Sequence, residues 1–345
     1  MRVMNCIRWK MGPKARIGIL LALACSSLGW ADAVRTQSIS LHKGWNAVFL
    51  EVTPGTTDSD VVFTNTPVSI AATYFAVSSP VQFIQNPGTI QWKREGWGVW
   101  YAPGRPDTFL SNLKMIYGNR AYLIYAGRDF TWNVSGSVSF DRVRWKSNSF
   151  NFLGFSLDPV APPTFHQFFA SSPAQNPSRV YQLADGQWKL IGDPIQTRMQ
   201  SGTAYWIYCN GSSDFQGPLT VNVPTAMGLH FESTDQSWLS VVNTSSDPMN
   251  VQVQTVSNGN GLPLDYSVRG IGPGWINRFN FPLPAVYAMP SLEPGDSASL
   301  WLNIRRDKMT SAVQSTLLEV SGDIGVRLWI PVSGTRAQLQ AAVAQ

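Results

Sequence analysis

The residues of this 345-residue chain that could do chemistry are three histidines, a close pair of aspartates, three cysteines and an unusual number of tryptophans. His42, His166 and His230 lie far apart, and none stands in the H-E-x-x-H spacing that sets two imidazoles on one helical face for zinc. Asp58-Ser-Asp60 begins like a calcium loop but lacks the further ligands and closing Glu of an EF-hand. No G-x-S-x-G turn exposes a serine nucleophile. No G-x-x-x-x-G-K-[ST] or G-x-G-x-x-G loop offers backbone amides to a phosphate. A pair of carboxylates for glycoside hydrolysis is set in three dimensions at a separation of ~5–9 Å, which a sequence does not encode. A hydrolase is therefore the weakest reading.

The remaining signal is aromatic. Trp92-Lys-Arg-Glu-Gly-Trp97-Gly-Val-Trp100-Tyr101 is interrupted by glycine and interleaved with charge. An exposed indole or phenol stacks on a sugar because the pyranose C–H bonds meet the negative π face. Trp92, Trp97, Trp100 and Tyr101 are thus the candidate ligand-binding residues, for a carbohydrate. The competing reading turns Trp92 and Trp100 inward on a strand and places Trp97 on a hairpin turn. No residue stands out as a catalytic group or metal ligand, no cofactor is expected, and the chain reads as a non-enzyme.

Elements that could position these residues begin after a leader. Arg2, Arg8, Lys10, Lys14 and Arg16 precede the apolar run Ile17–Ala24, and small residues lead to Ala31-Asp32-Ala33. A basic segment, an apolar segment and an A-x-A site in that order make a secretory signal, here residues 1–33. The apolar run is far short of the ~20 residues needed to span a bilayer, so no transmembrane anchor is expected. Lipid attachment at Cys25 is the rival route, although Ala22 stands where the usual leucine would be. The whole chain has 26 basic and 21 acidic residues; removing the leader leaves 21 and 20, a net charge of about +1 instead of +5. No basic stripe then remains for nucleic acid. Cys209 is the one cysteine left, too few for an internal disulfide, and it follows an apolar strand as a buried thiol would.

The rest is β in texture: short runs of Val, Ile, Phe, Tyr and Trp broken every 8–12 residues by Gly, Pro, Asn, Asp or Ser. The helical candidates are Pro162–Ala170 and a polar, fraying tail at 335–345. An internal repeat organises the first two thirds. Gly44-Trp45-Asn46 through Pro54 matches Ser149-Phe150-Asn151 through Pro159, Gly98-Val-Trp100 matches Gly186-Gln-Trp188, and Asn119-Arg-Ala121-Tyr122-Leu-Ile-Tyr125 matches Gly202-Thr-Ala204-Tyr205-Trp-Ile-Tyr208. Each copy closes on a Val-containing strand, at Phe130–Val134 and Leu219–Val223. Two homologous β modules are expected, 36–140 and 141–225. Their Asn-to-Pro and Ala-Tyr-x-Ile-Tyr strands are apolar at nearly every position and read as central strands buried on both faces. The Asn is placed to bond nearby backbone, and Gly118 and Gly202 to turn with positive φ.

This pattern resembles a repeated module of large secreted proteins of environmental bacteria, marked by an early Gly-Trp-Asn strand and a late Gly-x-x-Tyr-Trp-Ile strand. The resemblance covers residues 41–225 and implies a β fold and an extracellular setting, with no defined activity. From 227 to 334, eight short strands are expected between 228 and 332, with turns at Asn258-Gly-Asn-Gly261 and Gly322-Asp-Ile-Gly325. Leu292-Glu-Pro-Gly-Asp296 before a strand and the ending Ile330-Pro-Val-Ser resemble immunoglobulin-like sandwiches. The expectation is an all-β chain of two modules and a sandwich. It acts in structure or interaction at the cell surface or in the periplasm, on a protein or polysaccharide partner. Carbohydrate binding through 92–101 is the alternative.

Overall fold

A computed structural model describes residues 33–76, 85–89, 96–175, 179–257, 261–272 and 275–337. The leader up to Asp32 with Cys25, Trp92, most of the 258–261 turn and the tail from 338 lie outside the described residues. Seven strands come first: β1 (Val34–Leu41), β2 (Gly44–Leu50), β3 (Val52–Pro54), β4 (Val68–Tyr74), β5 (Trp97–Tyr101), β6 (Arg120–Ala126) and β7 (Phe130–Val138). They form two antiparallel sheets, ordered β1-β7-β3 and β2-β6-β4-β5. The next four are β8 (Ser149–Gly154), β9 (Val180–Ala184), β10 (Gln187–Leu190) and β11 (Ala204–Cys209), in one sheet ordered β10-β9-β11-β8. Strands β2-β6-β4-β5 and β8-β11-β9-β10 therefore follow the same order.

Three layers stack here. The β1-β7-β3 sheet packs on one face of β2-β6-β4-β5 through Ile39, Leu41, Leu50, Trp100, Tyr122 and Trp132. The other face meets the β10-β9-β11-β8 sheet through Phe49, Tyr101, Leu123, Phe152 and Trp206. A sheet covered on both sides explains strands apolar at almost every position. β6 and β11 lie inside their sheets as expected, whereas β2 and β8 are edge strands, buried by the layers above and below. The two layers touch so closely at Gly154 that a Cβ there would sit 2.2 Å from Phe49 Cβ.

The repeated residues make repeated bonds. Asn46 accepts from the His42 N–H (2.9 Å) and donates to the His42 (2.8 Å) and Gly44 (3.0 Å) carbonyls. Asn151 does the same with Lys146 (2.8 and 3.1 Å) and Ser149 (3.0 Å). Tyr122 Oη takes the Tyr117 N–H at 2.8 Å, and Tyr205 Oη takes the Gln200 N–H at 2.8 Å, each five residues back. Gly202 has the expected positive φ of 73°, but at the other position it is Asn119 (φ 51°), not Gly118, that turns. A Cβ on Gly118 would lie 2.5 Å from Thr53 N, so its glycine serves a close backbone approach. Helix α1 (Ser59–Val62) is capped by Asp58, and α2 (Phe165–Phe169) by a Thr164/Gln167 capping box.

The remaining strands are β12 (Leu219–Asn222), β13 (Leu229–Phe231), β14 (Gln236–Asn243), β15 (Val251–Val256), β16 (Leu264–Gly272), β17 (Trp275–Pro282), β18 (Val286–Ala288), β19 (Ser297–Ile304), β20 (Val313–Gly322) and β21 (Val326–Thr335). All eight expected strands are there, joined by β12 and β18. They form two five-stranded sheets, β12-β14-β19-β16-β17 and β13-β21-β20-β15-β18, facing across Leu239, Val241, Val253, Leu302, Val320 and Ile330. This is an immunoglobulin-like sandwich in an all-β chain. β12, from the segment expected to close the second module, pairs instead with β14, so the sandwich sheet begins before 227. The same core runs on to Phe155, Phe168 and Tyr205, and the described residues belong to one compact unit, Ala31–Gln345.

Candidate functional site

The aromatic segment is structural where it is described. Antiparallel register sets Trp97, Trp100 and Tyr101 of β5 opposite Tyr74, Ala71 and Ile70 of β4. Trp100 is 3% exposed, lies 4.8 Å from the Phe63 ring, and donates its indole N–H to Asp60 Oδ1 at 2.7 Å. Tyr101 is 4% exposed. Trp97 is half-buried against Tyr74, Trp206 and Phe152, at 5.4, 6.0 and 6.1 Å between ring centroids. Buried faces cannot stack on a sugar, so Trp100 and Tyr101 are removed as platform residues; Trp92 is outside the described residues. Their tryptophan richness serves the contact between layers. The Asp58/Asp60 pair is explained too, one capping α1 and the other holding Trp100.

The other candidates are scattered. His42 and His166 are exposed on separate elements, and His230 Nδ1 lies 2.8 Å from Ser333 Oγ. Cys209 is buried, with its thiol 3.3 Å from the Gln175 amide nitrogen and donating to the Gly211 carbonyl at 3.3 Å. Burial pushes its pKa up, the wrong direction for a nucleophile. Among the described residues no three His, Cys, Asp or Glu are grouped to hold a metal ion, and no helix is long and apolar enough to cross a membrane.

Two sheet edges instead define a groove of about 1010 Å³, floored by the whole of Arg35–Ser40 from β1 and Gly44–Val48 from β2, and closed by the β9–β10 turn and Gln200–Thr203. The backbone directions follow from one bond. Gly55 N–H donates to the Ser135 carbonyl (3.2 Å) on the β3 side of β7. In an antiparallel strand alternate residues face opposite neighbours, so Trp132, Val134 and Gly136 face β1. Their register partners are Ile39, Gln37 and Arg35. Thr36, Ser38 and Ser40 are left with N–H and C=O turned into the groove. All three are exposed, and no described group bonds those atoms. On the other wall Phe49 N–H donates outward to Gly202 O at 2.8 Å, so by the same alternation Trp45 and Ala47 face the groove. The buried Gln37 amide satisfies the neighbouring Phe49 carbonyl (3.0 Å) and Glu51 N–H (2.8 Å).

One end of the groove is fixed by charges that sequence reading missed, because they are spread from 35 to 327. Arg35 pairs with Glu51 at 2.6 Å and lies 4.2 Å above the Trp329 ring. Arg327 pairs with Asp158 at 2.6 Å and Glu319 at 3.2 Å. Burial raises the Glu319 pKa, opposed by Arg327 and Arg35 and aided by Asp158 and Glu51. Burial also acts to raise Asp158, but the Ala161 and Val160 amides and Arg327 together hold it below the usual range. The cluster joins β1 to β20, β21 and the chain after β8, so it anchors the groove to the sandwich.

No family model and no curated protein matches this chain. Among solved structures it is similar to the ASH / PapD-like domain of human CEP192 (PapD-like domain 7), at 12% identity, covering 36% of this chain and 87% of that one, with a TM-score of 0.22. That likeness concerns fold alone.

Proposed function

We propose that this chain is a non-enzymatic scaffold working at the cell surface or in the periplasm, and that it binds a partner protein by taking an extended segment along β1. The observation that carries this is the row of unpaired backbone groups at Thr36, Ser38 and Ser40, turned into a groove. An unpaired strand edge is a template for another strand, with main-chain bonds giving affinity and alternate side-chain positions giving choice. Export rests on the basic, apolar and Ala-x-Ala segments in order, and on β1 beginning at Val34, one residue past the site. Lipid attachment at Cys25 is the alternative tether. The shared strand order and the repeated Asn and Tyr bonds support reading 36–140 and 141–225 as copies of one module.

The test is binding of the purified chain to a panel of ten-residue extended peptides, with Ser38→Pro as control. Proline removes the outward N–H of Ser38 and the exposed Ser38 Oγ–Asn133 Oδ1 bond (2.7 Å), but no backbone bond of the ladder to β7. The proposal expects saturable binding by part of the panel, weakened at least ~10-fold by Ser38→Pro. Binding by none of the panel, or binding indifferent to the proline, overturns it.

A further inference from the structure

The sandwich has a second open edge, of different character. β17 is the last strand of its sheet. Leu283 N–H donates to the Leu264 carbonyl at 2.9 Å, so by alternation Asn277, Phe279 and Phe281 bond β16 while Arg278 and Asn280 turn their backbone outward. No described group bonds those outward atoms. Register places Phe279 opposite Val268 and Phe281 opposite Tyr266, all on one face. Phe279 and Phe281 are each 46% exposed, beside the exposed Val268. The reverse face is polar: Ser267 bonds Asn280 (2.8 Å) and Asn303 (2.6 Å), and Arg278 donates to Gln236. Scattered apolar residues need no partner, but a row of them along an unpaired edge is a site of association.

We propose that this edge pairs with the same edge of a second copy of the chain, antiparallel, about a two-fold axis at Phe279. The sequence of β17 selects that register. An axis at Arg278 would set two arginines opposite each other. An axis at Asn280 would set Arg278 against Pro282, which has no N–H to give. With the axis at Phe279, each Arg278 faces Asn280 of the second copy and exchanges two bonds with it. Each Ile276 N–H also reaches the Pro282 carbonyl, for six backbone bonds in all. The two Phe279 rings meet as a close non-hydrogen-bonded pair, and each Phe281 adjoins Asn277 of the second copy. Both apolar faces then lie on the same side of one continuous sheet, so the patch is self-complementary as a two-fold interface requires. An eight-residue edge is ~27 Å long. With its aromatic side chains it buries roughly 1,000 Å² in total, which fits a weak, reversible dimer.

Sedimentation of the purified chain across about 1–500 µM tests this, with a monomer–dimer midpoint expected on the order of tens of µM. Phe279→Lys combined with Phe281→Lys, each at a 46% exposed position, is expected to weaken association at least ~10-fold while circular dichroism shows the fold kept. A second readout is independent of affinity. With Cys6 and Cys25 changed to serine, Phe279→Cys sets two thiols at Cα separations of ~4.5 Å, within disulfide reach. Arg278→Cys sets its thiols beyond ~7 Å. Mild oxidation is expected to cross-link the first and not the second. A monomer throughout the range, a dimer indifferent to the lysines, or cross-linking at 278 and not at 279 overturns the proposal.

Discussion

Trp206→Ala is the perturbation that best measures what the tryptophans do. Trp206 is 7% exposed at the centre of the contact between the two four-stranded sheets. Its ring stacks on Phe152 at 5.0 Å and meets Tyr74, Trp97 and Trp188 edge-on at 5.0, 6.0 and 6.2 Å. Burying roughly 200 Å² of indole at about 25 cal/mol/Å² is worth ~5 kcal/mol. Truncating core tryptophans costs about 3–5 kcal/mol, because part of the cavity collapses. The expected loss is therefore ~4 kcal/mol, with the half-buried Trp188→Ala costing about half as much. The assay is urea unfolding followed by far-ultraviolet circular dichroism, whose midpoint falls while the slope is unchanged. A loss below ~1 kcal/mol for Trp206→Ala would refute the claim that this ring holds the layers together.

Other outcomes follow from the charged and polar groups. Glu319 has a raised pKa because of burial; the stability tied to its protonated form is present below the ordinary carboxylate range and lost as pH rises through the folded value. Glu319→Gln is thus expected to gain stability relative to the parent as pH goes from 4 to 7, read from urea midpoints across that range; a gap that shrinks with pH contradicts it. Asp158 is shifted the other way, so the benefit of its ionised form is lost as the medium is acidified, and Asp158→Asn is expected to flatten the acid limb of the same curve. Cys209, buried with a raised pKa, is expected to react with a thiol reagent only on unfolding; rapid labelling of the native chain would show its pocket to be open.

Part of the architecture is legible in the sequence because short residue patterns recur in it. Aromatic–Asn and Ala-Tyr-x-Ile-Tyr mark strands whose backbone needs recur, so Asn46 and Asn151, and Tyr122 and Tyr205, announce themselves at matched spacing. The eight sandwich strands show through their alternation and turn residues, as Gly322–Gly325 does between β20 and β21. The role of the aromatic segment was not legible, since a buried and an exposed tryptophan are written alike. Only the layer lying over β5 decides that Trp100 turns to Asp60. The exchange of β12 into the sandwich is equally silent, because Leu-Thr-Val-Asn suits either sheet. The groove has no motif either: Thr36, Ser38 and Ser40 are ordinary strand residues, and what sets them apart is the strand that is not beside them.

Residue-resolved amide hydrogen exchange along β1 tests the binding edge most directly. In the free chain Arg35, Gln37 and Ile39, bonded to β7, are expected to exchange slowly, and Thr36, Ser38 and Ser40 fast. A bound strand-forming peptide is expected to slow those three together and leave the β17 amides unchanged. Protection of Thr36, Ser38 and Ser40 in the free chain, or a bound peptide that leaves them fast, would contradict the account.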